Sequence, residues 1–163
     1  MEHLWSPWRM EYIQAAKEPD DDSGCVLCRI RDGDQDERVL ARSEHGYVVL
    51  NRFPYNPGHV MAVPNRHVGE LEGLDDEEAL DLQRLVARSV RAIREEMAPH
   101  GFNVGANLGR IAGAGVPDHV HWHVVPRWSG DTNFMPVVGQ TRVMPELLEE
   151  TARRLGPRFG GDV

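Results

Sequence analysis

The chain has 163 residues, of which 40% are hydrophobic and 27% charged, so it can bury a full core as one domain without stabilisation by disulfide bonds or metal ions. Its net charge of −8 argues against broad nucleic-acid binding, and no apolar run approaches the roughly 18 residues of a membrane helix. The start of the sequence has neither a basic region nor an apolar stretch of signal-peptide length. We therefore expect a single cytoplasmic domain, residues 1–163, without nucleic-acid or membrane partners.

Five strands are predicted from short apolar runs bounded by Gly, Pro and Asn. An acidic segment at residues 18–24 precedes them, and we interpret it as a solvated linker. The strands are expected at residues 38–41, 46–50, 59–63, 101–107 and 119–126.

One long helix is predicted between the third and fourth strands. Asp75 is its expected N-cap, with Glu78 three residues later, and the helix ends before Pro99. The apolar residues that should face the core recur at helical spacing. They are Leu82, Leu85, Val86, Val90, Ile93 and Met97. With a shorter helix at residues 145–155, the pattern predicts an α+β fold, an antiparallel sheet with helices on one side.

Three histidines, His119, His121 and His123, alternate with apolar residues along the last predicted strand. Successive side chains of a strand point to opposite faces, so the three imidazoles share one face, with neighbours about 6.5–7 Å apart. Burying such a face requires a ligand or a row of hydrogen-bond partners. Two kinds of site fit this pattern: a metal site built on His-x-His, and a site for an anion such as a phosphate chain.

The segment before these histidines, residues 107–118, is rich in glycine. Glycines permit backbone conformations in which successive N–H groups converge on an anion. The segment lacks the Gly-Lys-Ser/Thr of a Walker A loop. Because it leads directly into the histidines, it favours the phosphate interpretation.

The pattern His-φ-His-φ-His-φ-φ at residues 119–125, where φ is apolar, resembles the motif of the histidine triad (HIT) family of nucleotide hydrolases and transferases. The likeness includes residues 51–60 and 64–67 and covers a core of about 25–128. The flanks at residues 5–9 and 128–134 are similar to those of bacterial enzymes that split diadenosine polyphosphates. The resemblance implies a HIT-like sheet with a Trp-rich N-terminal segment and a C-terminal helical extension. It also implies a homodimer whose long helices and sheets pair across a two-fold axis.

The resemblance also implies roles for individual residues. His121 attacks the α-phosphorus of a nucleotide and forms a covalent nucleotidyl-histidine, which water or another acceptor then resolves. His123 hydrogen-bonds phosphate oxygens or the leaving group. His59 orients the row of catalytic histidines without contacting the substrate itself. The implied substrate contacts are Asn51 with the ribose, Asn107 near the α-phosphate, and the loop residues Gly113, Ala114, Gly115 and Val116 around the phosphoryl oxygens.

The identity of the acceptor depends on one loop position. In phosphorylases that resemble this chain, the residue before Val116 is commonly Ser, whereas here it is Gly115. The missing hydroxyl favours water, so we expect hydrolysis of dinucleoside polyphosphates such as diadenosine tetraphosphate. Phosphorolysis with inorganic phosphate and hydrolysis of nucleoside phosphoramidates are the alternatives within this class. A nucleotide-binding sensor without turnover and a zinc hydrolase that uses all three histidines also remain open.

Cys25-Val26-Leu27-Cys28 has a spacing that suits zinc or redox chemistry in a reducing compartment. A structural zinc takes four nitrogen or sulfur ligands. Some proteins of this family complete the Cys-x-x-Cys pair with a histidine after the central strand and with the first histidine of the motif. The resemblance therefore implies a structural zinc, with no organic cofactor, on Cys25, Cys28, His67 and His119.

Overall fold

A computed structural model of the chain describes residues 24–33, 36–131 and 145–160. Within them the elements are α1 (Val26–Asp32), β1 (Val39–Arg42), β2 (Gly46–Leu50), β3 (Val60–Pro64), α2 (Asp76–Met97), β4 (Gly101–Ala106), β5 (Trp122–Arg127) and α3 (Leu148–Leu155). Short 3₁₀ turns lie at Leu71–Gly73 and Gly156–Phe159. The predicted α+β class, with five antiparallel strands, one long helix and a C-terminal helix, is confirmed.

The predicted segments at residues 5–9 and 132–134, and most of the acidic segment, lie outside the described residues. None of the helices in the described ranges combines the length and the hydrophobicity needed to span a lipid bilayer.

The five strands form one antiparallel sheet in the order β1-β2-β3-β5-β4, and its two faces pack differently. One face is covered by α2, α3 and the second 3₁₀ turn. The larger core lies between them and contains Val48, Leu50, Val60, Ala62, Leu82, Leu85, Ile93, Val124, Leu155 and Phe159. A smaller core on the opposite face joins α1 to the sheet through Leu27, Ile30, Tyr47, Val49 and Val63. Helix α1 thus shares with the histidines the face that α2 leaves uncovered.

Helix α2 begins and ends where the sequence predicts. The Asp75 carboxylate accepts from the N–H of Glu78 at 2.8 Å, and the Glu78 carboxylate accepts from the N–H of Asp75 at 3.1 Å, a complete capping box. Arg66 donates through Nε to Glu78 at 2.8 Å, so the same cap anchors the segment after β3. The helix stops at Ala98, which adopts a left-handed conformation with φ of 46°.

Replacing Asp75 by alanine is expected to lower the free energy of unfolding by about 0.5–2 kcal/mol, because the Glu78 N–H loses its acceptor. Asp76→Ala is the matched control, since Asp76 is an exposed first-turn acid and not the cap. Urea titration of the two variants measures the difference. Equal stability in Asp75→Ala and Asp76→Ala would show that charge alone, rather than capping, acts here.

Several predicted boundaries of helices and strands differ from those observed. Helix α1 was not predicted. Strands β1 and β3 begin and end one residue later than expected, β4 ends one residue earlier, and β5 ends one residue later, at Arg127. Strand β5 begins at Trp122 rather than at residue 119, because the N–H of Val120 donates to Val68 O and so bonds outside the sheet ladder. Helix α3 begins at Leu148 rather than at residue 145, since Leu147 is extended and its carbonyl accepts the first helical bond.

Candidate active site and metal cluster

Residues Cys25, Cys28, His67 and His119 converge at one end of the sheet. Cys25 caps α1 and Cys28 lies on its first turn, His67 follows β3, and His119 precedes β5. Their ligand atoms all lie within 4.8 Å of one another. The structure therefore brings together the four residues predicted as metal ligands, and the cluster could hold a metal ion.

Three S···N distances within the cluster fit tetrahedral coordination. His119 Nδ1 lies 3.4 Å from Cys25 Sγ and 3.5 Å from Cys28 Sγ, and His67 Nδ1 lies 3.4 Å from Cys28 Sγ. Zinc bonds of about 2.3 Å to sulfur and about 2.0 Å to nitrogen place neighbouring S and N ligands about 3.5 Å apart in a tetrahedron. Burial and the neighbouring Cys25 raise the pKa of Cys28, so a cation would have to displace its proton.

His119 has the tautomer that a metal ligand needs. It is fully buried, and its Nε2 lies 2.9 Å from the carbonyl oxygen of Pro64. A carbonyl only accepts, so Nε2 carries the hydrogen and the Nδ1 lone pair faces the two thiols. Burial also lowers the pKa of His119, which favours the neutral ring.

His121 has the opposite tautomer. Its Nδ1 lies 2.8 Å from the carbonyl oxygen of His119, so Nδ1 carries the hydrogen and Nε2 keeps its lone pair. The side chain is 5% exposed, and burial lowers its pKa, although the bond to the His119 carbonyl acts in the opposite direction. A neutral imidazole with a bare Nε2 is a competent nucleophile.

His123 and His59 form a second, directed hydrogen-bond chain. The N–H of Tyr55 donates to His59 Nδ1 at 3.0 Å, so in the neutral ring His59 carries its hydrogen on Nε2. That Nε2 donates to His123 Nδ1 at 2.9 Å, which leaves the hydrogen of His123 on its own Nε2. The rings of His121 and His123 lie 5.0 Å apart, centre to centre. One ring therefore offers a lone pair next to a ring that offers an N–H.

His123 and His59 lie on one face of the sheet, whereas His119 and His121 precede β5 and are not the strand residues predicted. Met61 pairs with His123 in the sheet, and His59 lies two residues before Met61 on the same face. Trp122 and Val124, the alternate residues, pack against the core beneath α2. His119 contributes to the metal cluster, so the three histidines divide between two adjoining sites.

Asn51 and Asn107 both lie beside these histidines. The Asn51 Oδ1 accepts from the N–H of Phe53 at 3.0 Å, and its Nδ2 lies 3.4 Å from His59 Nδ1. Asn107 directly follows Ala106, whose partner in β5 is Trp122, the residue after His121. Its Nδ2 lies 3.5 Å from the carbonyl oxygen of Gly113, which connects it to the glycine-rich segment.

Two of the loop N–H groups predicted to hold phosphate are engaged within the loop. The N–H of Gly113 donates to Arg110 O at 3.0 Å, and that of Ala114 donates to Gly109 O at 3.2 Å. Gly109 and Gly113 have φ of 80° and 95°, values that favour glycine. The loop is thus a closed turn, and only a rearrangement would release both N–H groups to a ligand.

Comparisons with known proteins agree with this architecture. The family model described as the HIT domain matches residues 32–130. An AP-4-A phosphorylase of Mycobacterium tuberculosis is 43% identical over 165 aligned residues, which cover 98% of this chain and 85% of that protein. The adenosine 5′-monophosphoramidase hnt1 of Schizosaccharomyces pombe is 35% identical over 103 residues, 63% of this chain and 74% of that protein.

A solved structure adds a comparison of the fold. The crystal structure of a Zn-bound histidine triad family protein from Mycobacterium smegmatis aligns with a TM-score of 0.70 and 30% identity, covering 85% of this chain and 95% of that one. The fold and the site define an α+β protein with a row of histidines at one end of its sheet. The chain belongs to the HIT family, as the motif at residues 119–125 predicted.

Sequence reasoning did not identify the backbone groups that set the tautomers. The carbonyls of Pro64 and His119 and the N–H of Tyr55 belong to residues whose side chains do not indicate these roles. Each is a main-chain group placed by the fold, so the motif alone carries no signal for it.

Proposed function

We propose that the protein is a nucleotidyl transferase that cleaves dinucleoside polyphosphates, such as diadenosine tetraphosphate, through a covalent intermediate on His121. The observation that carries this proposal is the difference in protonation between two adjacent rings. The Nε2 of His121 has a lone pair, and the Nε2 of His123 carries a hydrogen. The names of the M. tuberculosis and S. pombe relatives, an AP-4-A phosphorylase and a phosphoramidase, support cleavage at a nucleotide phosphorus.

The reaction proceeds in two displacements. The Nε2 lone pair of His121 forms a bond to the α-phosphorus, and the bond from that phosphorus to the bridging oxygen breaks with its electron pair leaving on oxygen. His123 Nε2 donates its hydrogen bond to the departing oxygen. An oxygen of the acceptor then attacks the same phosphorus, and the P–N bond to His121 breaks.

The neighbouring residues bind the substrate in this proposal. Asn51 contacts the ribose, and Asn107, which follows the last residue of β4, lies near the α-phosphate. The N–H groups of Gly115 and Val116 approach the phosphoryl oxygens, and Gly113 and Ala114 join them only if the turn opens. His59 holds His123 in the donating tautomer.

We also propose that Cys25, Cys28, His67 and His119 hold a structural zinc. The fit of the S···N distances and the bare Nδ1 of His119 support this assignment, as does the Zn-bound relative from M. smegmatis. A metal held by these four side chains would supply folding energy rather than a reactive water, because the side chains would leave no position for water. His119 then fixes, through its carbonyl, the orientation of the His121 ring.

Phosphate is the acceptor that we favour, because the relative that aligns with 98% of this chain is named a phosphorylase. This reverses the order expected from Gly115, whose missing hydroxyl favours water. Water therefore stays the second candidate.

Incubating the protein with diadenosine tetraphosphate, with and without inorganic phosphate, separates the two acceptors. ATP and ADP formed only in the presence of phosphate are expected, since phosphate then carries away the AMP moiety. Chromatography of the nucleotides measures this. ATP and AMP formed regardless of phosphate would identify a hydrolase and support the argument from Gly115.

A homodimer formed through β4 and α2 completes the proposal. Strand β4 is an edge of the sheet in the described residues, and Val104 on it is 49% exposed, so a second copy pairing with this edge would bury apolar surface. Val104→Lys is expected to shift the protein from dimer to monomer in sedimentation velocity. Leu71→Lys, at a residue 44% exposed on a 3₁₀ turn, is the control and should leave the dimer intact. A wild-type monomer at micromolar concentration would contradict the proposal.

A further inference from the structure

An asparagine in the turn before His59 is held by two acceptors. Asn56 Nδ2 donates to the carbonyl oxygen of Pro126 at 2.9 Å and to Asp131 Oδ2 at 2.8 Å. Both partners accept only, so the two hydrogens of the amide are both used and its orientation is fixed. Asn56 therefore ties the β2–β3 turn to the end of β5, the strand that carries His123.

Asp131 is a fixed acceptor rather than a mobile surface acid. Arg127 donates to it through Nε at 2.6 Å and through Nη2 at 2.9 Å, and the N–H of Trp128 donates at 3.2 Å. Its side chain is 12% exposed. The Arg127 guanidinium keeps the pKa of Asp131 well below its ordinary value, so the carboxylate stays charged.

The turn held by Asn56 also controls His59. The N–H of His59 donates to the carbonyl oxygen of Asn56 at 3.1 Å. Tyr55, the residue before Asn56, donates its N–H to His59 Nδ1. Gly58 has φ of 78°, and a Cβ there would lie 2.7 Å from Met97 Sδ. The turn is therefore closely packed, and moving Asn56 would move the Tyr55 N–H.

We propose that Asn56 and Asp131 are positioning residues that fix the direction of the hydrogen bond between His59 and His123. While Asn56 holds the turn, the Tyr55 N–H occupies His59 Nδ1, and the hydrogen of His59 stays on Nε2. If the turn shifts, His59 can take its hydrogen on Nδ1. The bond to His123 then reverses, because His123 must donate through its own Nδ1.

The consequence for the reaction rests on the proposed function. In the reversed arrangement the Nε2 of His123 has a lone pair and cannot donate to the departing oxygen. The first displacement then loses its hydrogen-bond donor, while the groups that bind the nucleotide are unchanged. A loss in kcat with little change in KM is the expected pattern.

Asn56→Asp tests this, since it preserves shape but sets a carboxylate against two acceptors. We expect kcat on diadenosine tetraphosphate to fall by roughly tenfold to hundredfold. In ¹⁵N NMR of the ring nitrogens, which separates protonated from bare nitrogen, His59 Nδ1 and His123 Nδ1 should gain hydrogen. The double variant Asn56→Asp/Asp131→Asn again pairs an amide with a carboxylate, now with the amide at position 131. It should recover part of the kcat and part of the wild-type protonation of the ring nitrogens. If Asn56→Asp does not fold, Asn56→Ser replaces it with the same expectations.

Asn65→Asp is the matched control, because the Asn65 amide also donates to a main-chain carbonyl, that of Glu44 at 2.9 Å. It should leave kcat and the ring nitrogens of His59 and His123 unchanged, whatever it does to stability. Ring nitrogens that stay as in the wild type in folded Asn56→Asp would overturn the proposal, even if activity falls. The NMR result does not depend on turnover, so a wild type inactive on dinucleoside polyphosphates would overturn the proposed function alone.

Discussion

His121→Gln is expected to lose roughly 10⁴-fold to 10⁶-fold in turnover of diadenosine tetraphosphate, the range seen when an enzyme loses its nucleophile. Glutamine places its amide where the ring has Nε2, so the bond from Nδ1 to the carbonyl oxygen of His119 is lost while a polar side chain of similar length remains. Its amide has no lone pair of comparable nucleophilicity, and no P–N bond can form. Steady-state kinetics of the purified variant measure the loss.

A second measurement connects the loss to the intermediate. Wild-type protein quenched in alkali during turnover should gain the mass of one nucleotidyl group, and His121→Gln should not. His100→Ala is the control, since His100 is an exposed histidine that contacts Ser129. A His121→Gln variant that retained substantial activity would eliminate the covalent mechanism and favour the sensor or the metal-dependent alternative.

His67→Ala is expected to release the proposed zinc and to lower the melting temperature by about 8–16 °C. The estimate assumes about 4 kcal/mol from a metal present at a thousand times its dissociation constant, and about 2–4 °C per kcal/mol for a chain of this size. His67 is exposed, so its removal takes little packing with it and the change reports the metal. Differential scanning calorimetry and metal analysis of the same samples measure both effects.

His100→Ala again serves as the control, because it removes an exposed imidazole far from the four ligands along the chain. A strong chelator should lower the melting temperature of the wild type to that of His67→Ala and leave His67→Ala unaffected. Wild-type protein that contains no zinc after expression with added metal, and whose melting temperature is unchanged in His67→Ala, would contradict the assignment.

The features predicted correctly from the sequence are those that depend on residues close together in the chain. The capping box at Asp75 and Glu78 spans four residues, and the alternation at residues 119–125 spans seven, so both appear in the local pattern. Helix α1 was missed because only Leu27 and Ile30 mark its buried side. It is stabilised by the smaller core, including a bond from the Tyr47 hydroxyl to Leu27 O at 2.7 Å, which local propensity cannot show.

The site was predictable in its residues and not in its hydrogen bonds. The four proposed metal ligands came from the family resemblance, and the structure brings them together. The tautomers depend on which main-chain groups face each ring. Those groups lie in the turn before His59, at the end of β3 and two residues before His121. The contact between Asn56 and Asp131 joins residues 75 positions apart, a separation that no motif encodes.

The strand order has a consequence for how the domain folds. Among the described residues, β5 is the last strand, yet it lies between β3 and β4, so β4 joins the sheet only through it. A nascent chain that ends before β5 can form the β1-β2-β3 meander but has no strand on which β4 can pair. Such late, non-local pairing slows folding. We therefore expect the proposed catalytic histidines, His121 and His123, to assemble in the same step that closes the sheet, with no partly folded form that is already active.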